Sequence, residues 1–557
     1  MKRIKQKSRR LITIILVAAF FVSSIGFLSY KSDDFETVKN LDIFYTLYKE
    51  LSLYYVDDVD PGKVIKQGID AMLKSLDPYT VYIPETQIED LKFMTTGQYG
   101  GIGALIRQYD DYVVIAEPYE NFPAYDAGIK AGDIILEIDG NSTKNKKSSE
   151  ISELLKGQPN TNVKIKVKRY KIEKPLEFEL IRKEVQVPNV PYSGMLNDEI
   201  AYVVLSRFTS GASNDVRNAI IELKKENEIK GLVLDLRNNP GGLLMEAVFL
   251  SNLFIEKDKE IVSTKGKVKD WDKEYKAPRE AFDKNIPLVV LVNRGSASAS
   301  EIVSGAIQDY DRGVIIGERT FGKGLVQTTR DLSYNAKLKV TTAKYYIPSG
   351  RCIQALDYSN RNEDGSVGRV PDSLATEFKT AGGRKVFDGG GILPDIVIEK
   401  ENASNIAIAL TIQNILFDYV TKYASEKDSI SAPEQFTLSD IEYQDFVKFV
   451  LEKDFVYDTK SEETLENLIE ITKNEKYYQE AADEIESLKK ILAHDVEKDL
   501  NVFKEEIVEM LESEIIGRYY YQKGRIKYNL KNDKDVVKSL EILNDTSMYN
   551  KILRAEE

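Results

Sequence analysis

At the usual ~100–200 residues per domain, a chain of 557 residues should hold about three or four domains, and its apolar share of 42% and charged share of 30% exclude wholesale disorder, a collagen-like fibre and a multi-span membrane protein. A net charge of -13 leaves no basic footprint for nucleic acid beyond the first ten residues, so no nucleic-acid partner is expected. With one histidine (His494) and one cysteine (Cys352), the chain cannot form an intrachain disulfide, a His- or Cys-rich zinc site, a haem attachment or a redox cysteine pair. No metal centre and no cofactor is expected, and the general base of any hydrolase built here is not expected to be histidine.

The first ten residues carry Lys2, Arg3, Lys5, Lys7, Arg9 and Arg10, and Leu11 to Leu28 contains no charge. This is the pattern of an export segment, at the boundary in length between a signal-peptide core and a short membrane span. No A-x-A cleavage site follows, so residues 1–30 are read as a retained inner-membrane anchor in preference to a cleaved signal. The basic flank then stays cytoplasmic and the remainder is periplasmic or otherwise extracytoplasmic, in the cell envelope.

Residues 31–96 read as a helical region. Phe35, Val38, Leu41, Phe44, Tyr45, Leu47, Tyr48 and Leu51 recur at three- and four-residue spacing, and Ser75-Leu-Asp-Pro-Tyr79 breaks the pattern. Residues 97–188 change to short β-rich runs (112–116, 134–138, 163–169 and 176–181) with one amphipathic helix near 149–156. Gly100-Gly-Ile-Gly103, with Gly101, Ile102 and Gly103 as peptide-binding positions, could aim successive backbone amides at a terminal carboxylate, while Ile102, Ala104 and Ile106 of the adjacent strand and a helix containing Ile151, Leu154 and Leu155 could flank a bound peptide's last side chain. The segment Ala127-Gly-Ile-Lys-Ala-Gly-Asp133 followed by Ile134-Ile-Leu-Glu-Ile-Asp-Gly140 resembles the signature of PDZ domains.

Residues 189–400 alternate strand and helix, which argues an α/β fold. Within them Asp235-Leu-Arg-Asn-Asn-Pro-Gly-Gly242 joins a strand to an apolar helix, a turn whose free amides suit an oxyanion or a phosphate. It lacks the Lys and Ser/Thr of a nucleotide-binding loop. Asn293-Arg-Gly-Ser-Ala-Ser-Ala-Ser-Glu301 runs from a buried strand into the helix expected over 299–309. Ser296 and Ser300 read as helix caps, and one of the three serines could be a nucleophile beside helix amides. The candidate partner is Lys323 in Thr320-Phe-Gly-Lys-Gly-Leu-Val-Gln327, where burial would lower an amine from ~10.4 toward neutrality. Residues 401–557 are charged and helical, with no Gly-rich loop and no internal repeat.

NPGG, GSASASE and FGKG-x-x-Q, in this order behind a PDZ-like segment and before Gly389-Gly-Gly-Ile-Leu-Pro-Asp395, closely resemble the C-terminal processing peptidases, or tail-specific proteases. The resemblance covers roughly 40–400. It implies a multidomain α/β and all-β architecture: an N-terminal helical segment, a PDZ-like β domain, a ClpP/crotonase-like peptidase core and a C-terminal helical extension. It implies Ser298 as nucleophile, Lys323 as general base, Gln327 orienting the lysine, and an oxyanion hole from Ala299 with Gly241 or Gly242. The expectation is an exported serine endopeptidase acting on protein or peptide substrates with free C-termini; homo-oligomerisation stays open. A non-catalytic PDZ scaffold at the cell envelope and a crotonase-like acyl-CoA enzyme are the alternatives.

Overall fold

The computed structural model describes residues 32–362, 365–399, 402–492 and 495–554. The expected export segment and His494 lie outside the described residues, and among those described no helix is long and apolar enough to cross a membrane. The chain divides into two units, Met1–Tyr82 and Ile83–Glu557.

In the first unit, α1 (Ser32–Tyr54) and α2 (Pro61–Lys74) are the expected helices. Proline at the first position of α2 fits because that amide has no helical acceptor, and the Asp60 carboxylate accepts from Lys63 N–H at 3.1 Å. The break after α2 is an Asx turn in which Asp77 Oδ1 accepts from the amides of Tyr79 and Thr80, both at 2.8 Å.

In the second unit, α3 (Ile88–Thr96) ends on Gly97, whose positive φ closes the helix, and β1 (Gln98–Gly101) follows. Five strands, β2 (Ala104–Tyr109), β3 (Tyr112–Pro118), β4 (Ile134–Ile138), β5 (Asn162–Lys168) and β6 (Leu176–Ile181), pair antiparallel in chain order. Helix α4 (Ser148–Leu155) packs on β2, and β7 (Lys183–Gln186) returns to pair with β1. Alternation directs Val163, Ile165 and Val167 inward, as a sheet with one covered face requires. The signature segment owes its shape to the buried Asp133, held by Arg169 at 2.7 Å and by the Lys130 amide at 2.8 Å, and preceded by glycines 128 and 132 of positive φ.

The peptidase-like part is built on a six-stranded sheet. Strand β8 (Tyr192–Met195) pairs antiparallel with β9 (Ile200–Val204). After α5 (Ala212–Glu226) comes β10 (Gly231–Asp235), then α6 (Leu244–Ser251) and an antiparallel pair, β11 (Glu260–Gly266) and β12 (Lys273–Lys276). Strand β13 (Leu288–Val292) leads into α7 (Ala299–Asp309) and β14 (Val314–Gly317). Next come β15 (Leu325–Asp331) and β16 (Lys337–Tyr346), and β17 (Ile396–Val397) closes the sheet. The order is β8-β9-β10-β13-β14-β17, parallel from β9 onward, while β16 pairs with both β15 and β11 in a second sheet. Strands β11, β12 and β15 fall in Lys- and Thr-rich stretches where alternation is masked by charge, and sequence patterning did not reveal them.

Every residue of β10, β13 and β14 is buried, because both faces of the sheet are covered. One face packs on α5, α6 and α7 through a core containing Val216, Val248, Ile302 and Ile307. The other is covered by the far C-terminus. Beyond α8 (Asn405–Ile412), α9 (Ile415–Glu426), α10 (Asp440–Glu452), α11 (Lys460–Asn474), α12 (Ala482–Leu492), α13 (Val496–Val502) and α14 (Lys504–Asn529) come α15 (Lys534–Asn544) and α16 (Thr546–Ile552). Val536, Ile542, Leu543 and Tyr549 of these last two helices pack against Val233, Val289, Leu291 and Ile316. Full burial of each such aliphatic side chain stabilises by about 1.5–3 kcal/mol. Tyr549 donates its hydroxyl to Leu288 C=O and accepts from Leu288 N–H, and Arg237, in the loop after β10, binds Asp533 and Asp535 at the start of α15.

The middle helices form a separate core and brace the PDZ-like domain. The Arg107 guanidinium of β2 lies 3.8 Å from the Phe417 ring centre and that of Arg518 4.1 Å from it. Tyr109 donates to Asp418 at 2.8 Å, and Glu117 accepts from the Gln522 amide at 3.0 Å beside the positive-φ kink at Tyr521 in α14.

Candidate active site

Three loops leave the C-terminal ends of three adjacent parallel strands, β10, β13 and β14, the edge at which open α/β sheets place their ligand sites. They carry 236–243, 293–299 and 318–324, so the three sequence motifs of the peptidase core meet in space.

The first two loops are stitched backbone to side chain. Asn239 is wholly buried: its Nδ2 donates to Leu205 C=O at 2.7 Å, its Oδ1 accepts from Gly241 N–H at 2.9 Å, and its carbonyl accepts from Ala297 N–H at 3.0 Å. Asn293 Oδ1 accepts from Asn238 N–H at 2.8 Å. The three serines separate cleanly. Ser296 and Ser300 are fully buried, with hydroxyls donating to Leu236 C=O at 2.8 Å and to Asn239 C=O at 2.9 Å. They are cross-loop ties and not the expected helix caps; the cap position of α7 belongs to Ser298. Ser298 alone of the three is partly exposed, and its backbone is held at φ 55°, ψ -110°, an unusual conformation for a residue with a side chain.

Beside Ser298 the amides of Ala299 and Gly242 find no acceptor among the described residues, whereas Gly241 N–H is committed to Asn239. Gly241 has φ 95°, and a Cβ added there would lie 2.6 Å from Ala297 C=O and 2.8 Å from Ala299 N, so a glycine is required to bring the two loops this close.

The lysine loop docks on the same place. Gly322 and Gly324 let it pass against Gln354 and Ala355, where an added Cβ would meet Ala355 Cβ at 2.4 Å or Gln354 N at 2.8 Å. Phe321 N–H donates to Ser296 C=O at 3.0 Å. Lys323 is half-buried, and Gln327, four residues on in β15, donates from Nε2 to Thr341 Oγ1 at 3.2 Å.

A residue that sequence reasoning passed over joins the two sides. Glu301 is completely buried in α7; its Oε1 accepts from Thr320 Oγ1 at 2.6 Å and Gly322 N–H at 2.7 Å, and its Oε2 from Ser298 N–H at 2.8 Å and Lys323 N–H at 2.9 Å. Burial pushes its carboxyl above the ordinary range, against the pull of these four donors. The S-x-x-E spacing from Ser298 to Glu301 is a capping-box signal that could have marked it. Asn239 carried no such local signal. The terminal Asp395 of the GGGILPD motif is structural: it pairs with Arg384 and accepts from Ile315 N–H at 2.8 Å.

In the PDZ-like domain a cleft of about 360 Å³ runs between β2 and α4, lined by Phe93, Tyr99, Ile102, Ile106, Leu155 and Lys156. Of the peptide-binding positions expected from sequence, Ile102 and Leu155 line this cleft. Ile151 does not: it is wholly buried in the domain's own core. Gly101 and Gly103 are buried at the cleft's end and shape the turn, and an added Cβ at Gly103 would strike Phe122 at 2.3 Å.

Family models match three stretches of the chain: a PDZ domain over 114–169, peptidase family S41 over 199–359, and the C-terminal helical domain of a probable PDZ-protease over 406–543. The carboxy-terminal-processing protease of Bartonella bacilliformis is 35% identical over 350 residues, which are 62% of this chain and 80% of that one. A Staphylococcus aureus protein named "Probable CtpA-like serine protease" is 35% identical over 347 residues, 61% of this chain and 68% of that one. Among solved structures, the photosystem II D1 C-terminal processing protease is 29% identical, aligned over 64% of this chain and 86% of that one with a TM-score of 0.35.

Proposed function

Since the chain belongs to the carboxy-terminal-processing proteases, serine peptidases of family S41 with a PDZ domain, we propose that it cleaves polypeptides with a Ser298–Lys323 dyad. The observation that carries this reading is the separation of the serines: Ser298 alone is partly exposed, at the start of α7, next to the unoccupied amides of Ala299 and Gly242.

In this reading the Ser298 hydroxyl attacks the scissile carbonyl while the Lys323 amine takes its proton and later gives it to the leaving amine. The Ala299 and Gly242 amides receive the developing oxyanion; Gly241, whose amide is already used, serves by its lack of a side chain. Gln327, held through Nε2 by Thr341, presents its Oε1 to orient the lysine. Substrate tails with a free carboxylate bind in the β2–α4 cleft as an added strand, over the turn at Gly101–Gly103. The uncharged run 11–28 exports the chain and anchors it in the inner membrane, leaving the peptidase in the periplasm or its equivalent.

The deciding experiment replaces Lys323 with arginine and follows cleavage of an unstructured peptide. Arginine keeps the charge but cannot act as a base, so turnover should vanish, as it should in Ser298→Ala, while both variants unfold at the wild-type temperature. Substantial turnover by folded Lys323→Arg would overturn the dyad.

A further inference from the structure

Tyr345, on β16, is 1% exposed, and its hydroxyl donates to Lys323 C=O at 2.6 Å with Ser298 C=O at 3.2 Å. One phenol oxygen thus contacts the backbone of both members of the dyad, on elements that approach each other only in the folded core. Its own N–H donates to Gly324 C=O at 2.9 Å, so the residue grips the lysine loop twice. Glu301 ties the same two backbones through their amides. On the carbonyl side the phenol contacts both.

We propose that the Tyr345 hydroxyl is a positioning group for catalysis, fixing the separation of the nucleophile turn and the base loop from the carbonyl side. This rests on the Ser298–Lys323 reading. Reactivity of a nucleophile and base depends steeply on their spacing, and a misplacement of about 1 Å can cost ~10²-fold. The Glu301 carboxylate holds the amide side of Ser298 and Lys323. The phenol closes the second side, and its burial keeps water from competing for the two carbonyls.

Tyr345→Phe removes one oxygen and leaves the ring and the Gly324 contact in place. Four proteins are assayed on an unstructured peptide from pH 6 to 10: wild type, Tyr345→Phe, Ser298→Ala and Lys323→Ala. The expected result for Tyr345→Phe is a fall in kcat of about tenfold with KM within twofold. Its acid limb should also move to higher pH, because a lysine released toward solvent is harder to deprotonate. A merely structural role would lower kcat by loss of folded protein, at unchanged limb position and with a fall in unfolding temperature matching the loss. That outcome, or wild-type kcat in Tyr345→Phe, overturns the proposal. Activity surviving in Ser298→Ala or Lys323→Ala would instead sink the dyad.

Discussion

Replacing Glu301 by glutamine tests the structural core of the site with a near-isosteric change. The carboxylate accepts four hydrogen bonds, two per oxygen, and is wholly buried. A carboxamide keeps one acceptor oxygen, so two of the four donors face an NH2 group. At about 1.5–3 kcal/mol for each hydrogen bond to a charged group, the gross loss is roughly 3–6 kcal/mol. The change also removes a buried charge, whose desolvation is what raises the Glu301 carboxyl, so the net cost should be about half that, ~2–3 kcal/mol. At about 2–4 °C per kcal/mol, calorimetry should find Tm lower by ~4–12 °C. Whichever way the amide turns, either the Ser298 and Lys323 amides or Thr320 and the Gly322 amide lose their acceptor, and the two loops separate. At 25 °C, where the variant stays folded, kcat on an unstructured peptide should fall about 10²-fold with KM little changed. A Glu301→Gln protein within twofold of wild-type kcat and with unchanged Tm would refute the claim that this carboxylate sets the geometry.

Gly241→Ala should cost at least ~10²-fold in kcat, since its methyl would press on Ala299 N and close the oxyanion position; a stopped-time peptide assay reads it. Ser300→Ala should lower stability by about 1 kcal/mol in urea titration yet leave turnover intact, because its hydroxyl only holds Asn239 C=O. Phe417→Ala should loosen the PDZ-like domain from the helices by removing the ring between Arg107 and Arg518, and hydrogen exchange in β2 should quicken while α7 stays protected. The helical domain should weaken in acid. Glu442 is pushed up by burial, but Lys427 and the Ser439 cap outweigh this and hold it at about 2, so its contribution is present above pH ~4.5 and is lost as pH falls toward 2. In Glu442→Gln the acid unfolding midpoint should lose that dependence.

The sequence by itself determined the buried parallel strands of the core and the chemistry of the loops between them, but not the charged strands β11, β12 and β15. Buried parallel strands announce themselves as apolar runs, as at 231–235 and 288–292, and the glycines flanking Lys323 and within NPGG mark backbone positions where no side chain fits. One histidine and one cysteine narrowed the catalytic classes before any fold was considered. What only the tertiary structure decided depends on contacts between distant segments. Three serines in one pentapeptide have equal local claims, and it is the cross-loop bonds to Leu236 and Asn239 that commit Ser296 and Ser300 and leave Ser298 at the surface. Ile151 has the helix periodicity of a cleft residue, but its side chain packs wholly into the domain's own core. Glu301 looks like a charged helix residue until the lysine loop, some twenty positions away, supplies its donors. The C-terminal helices carry no motif at all. Their last two nonetheless cover the second face of the catalytic sheet, because a parallel sheet with apolar side chains on both sides must bury both, and the chain that does so comes from more than two hundred residues away.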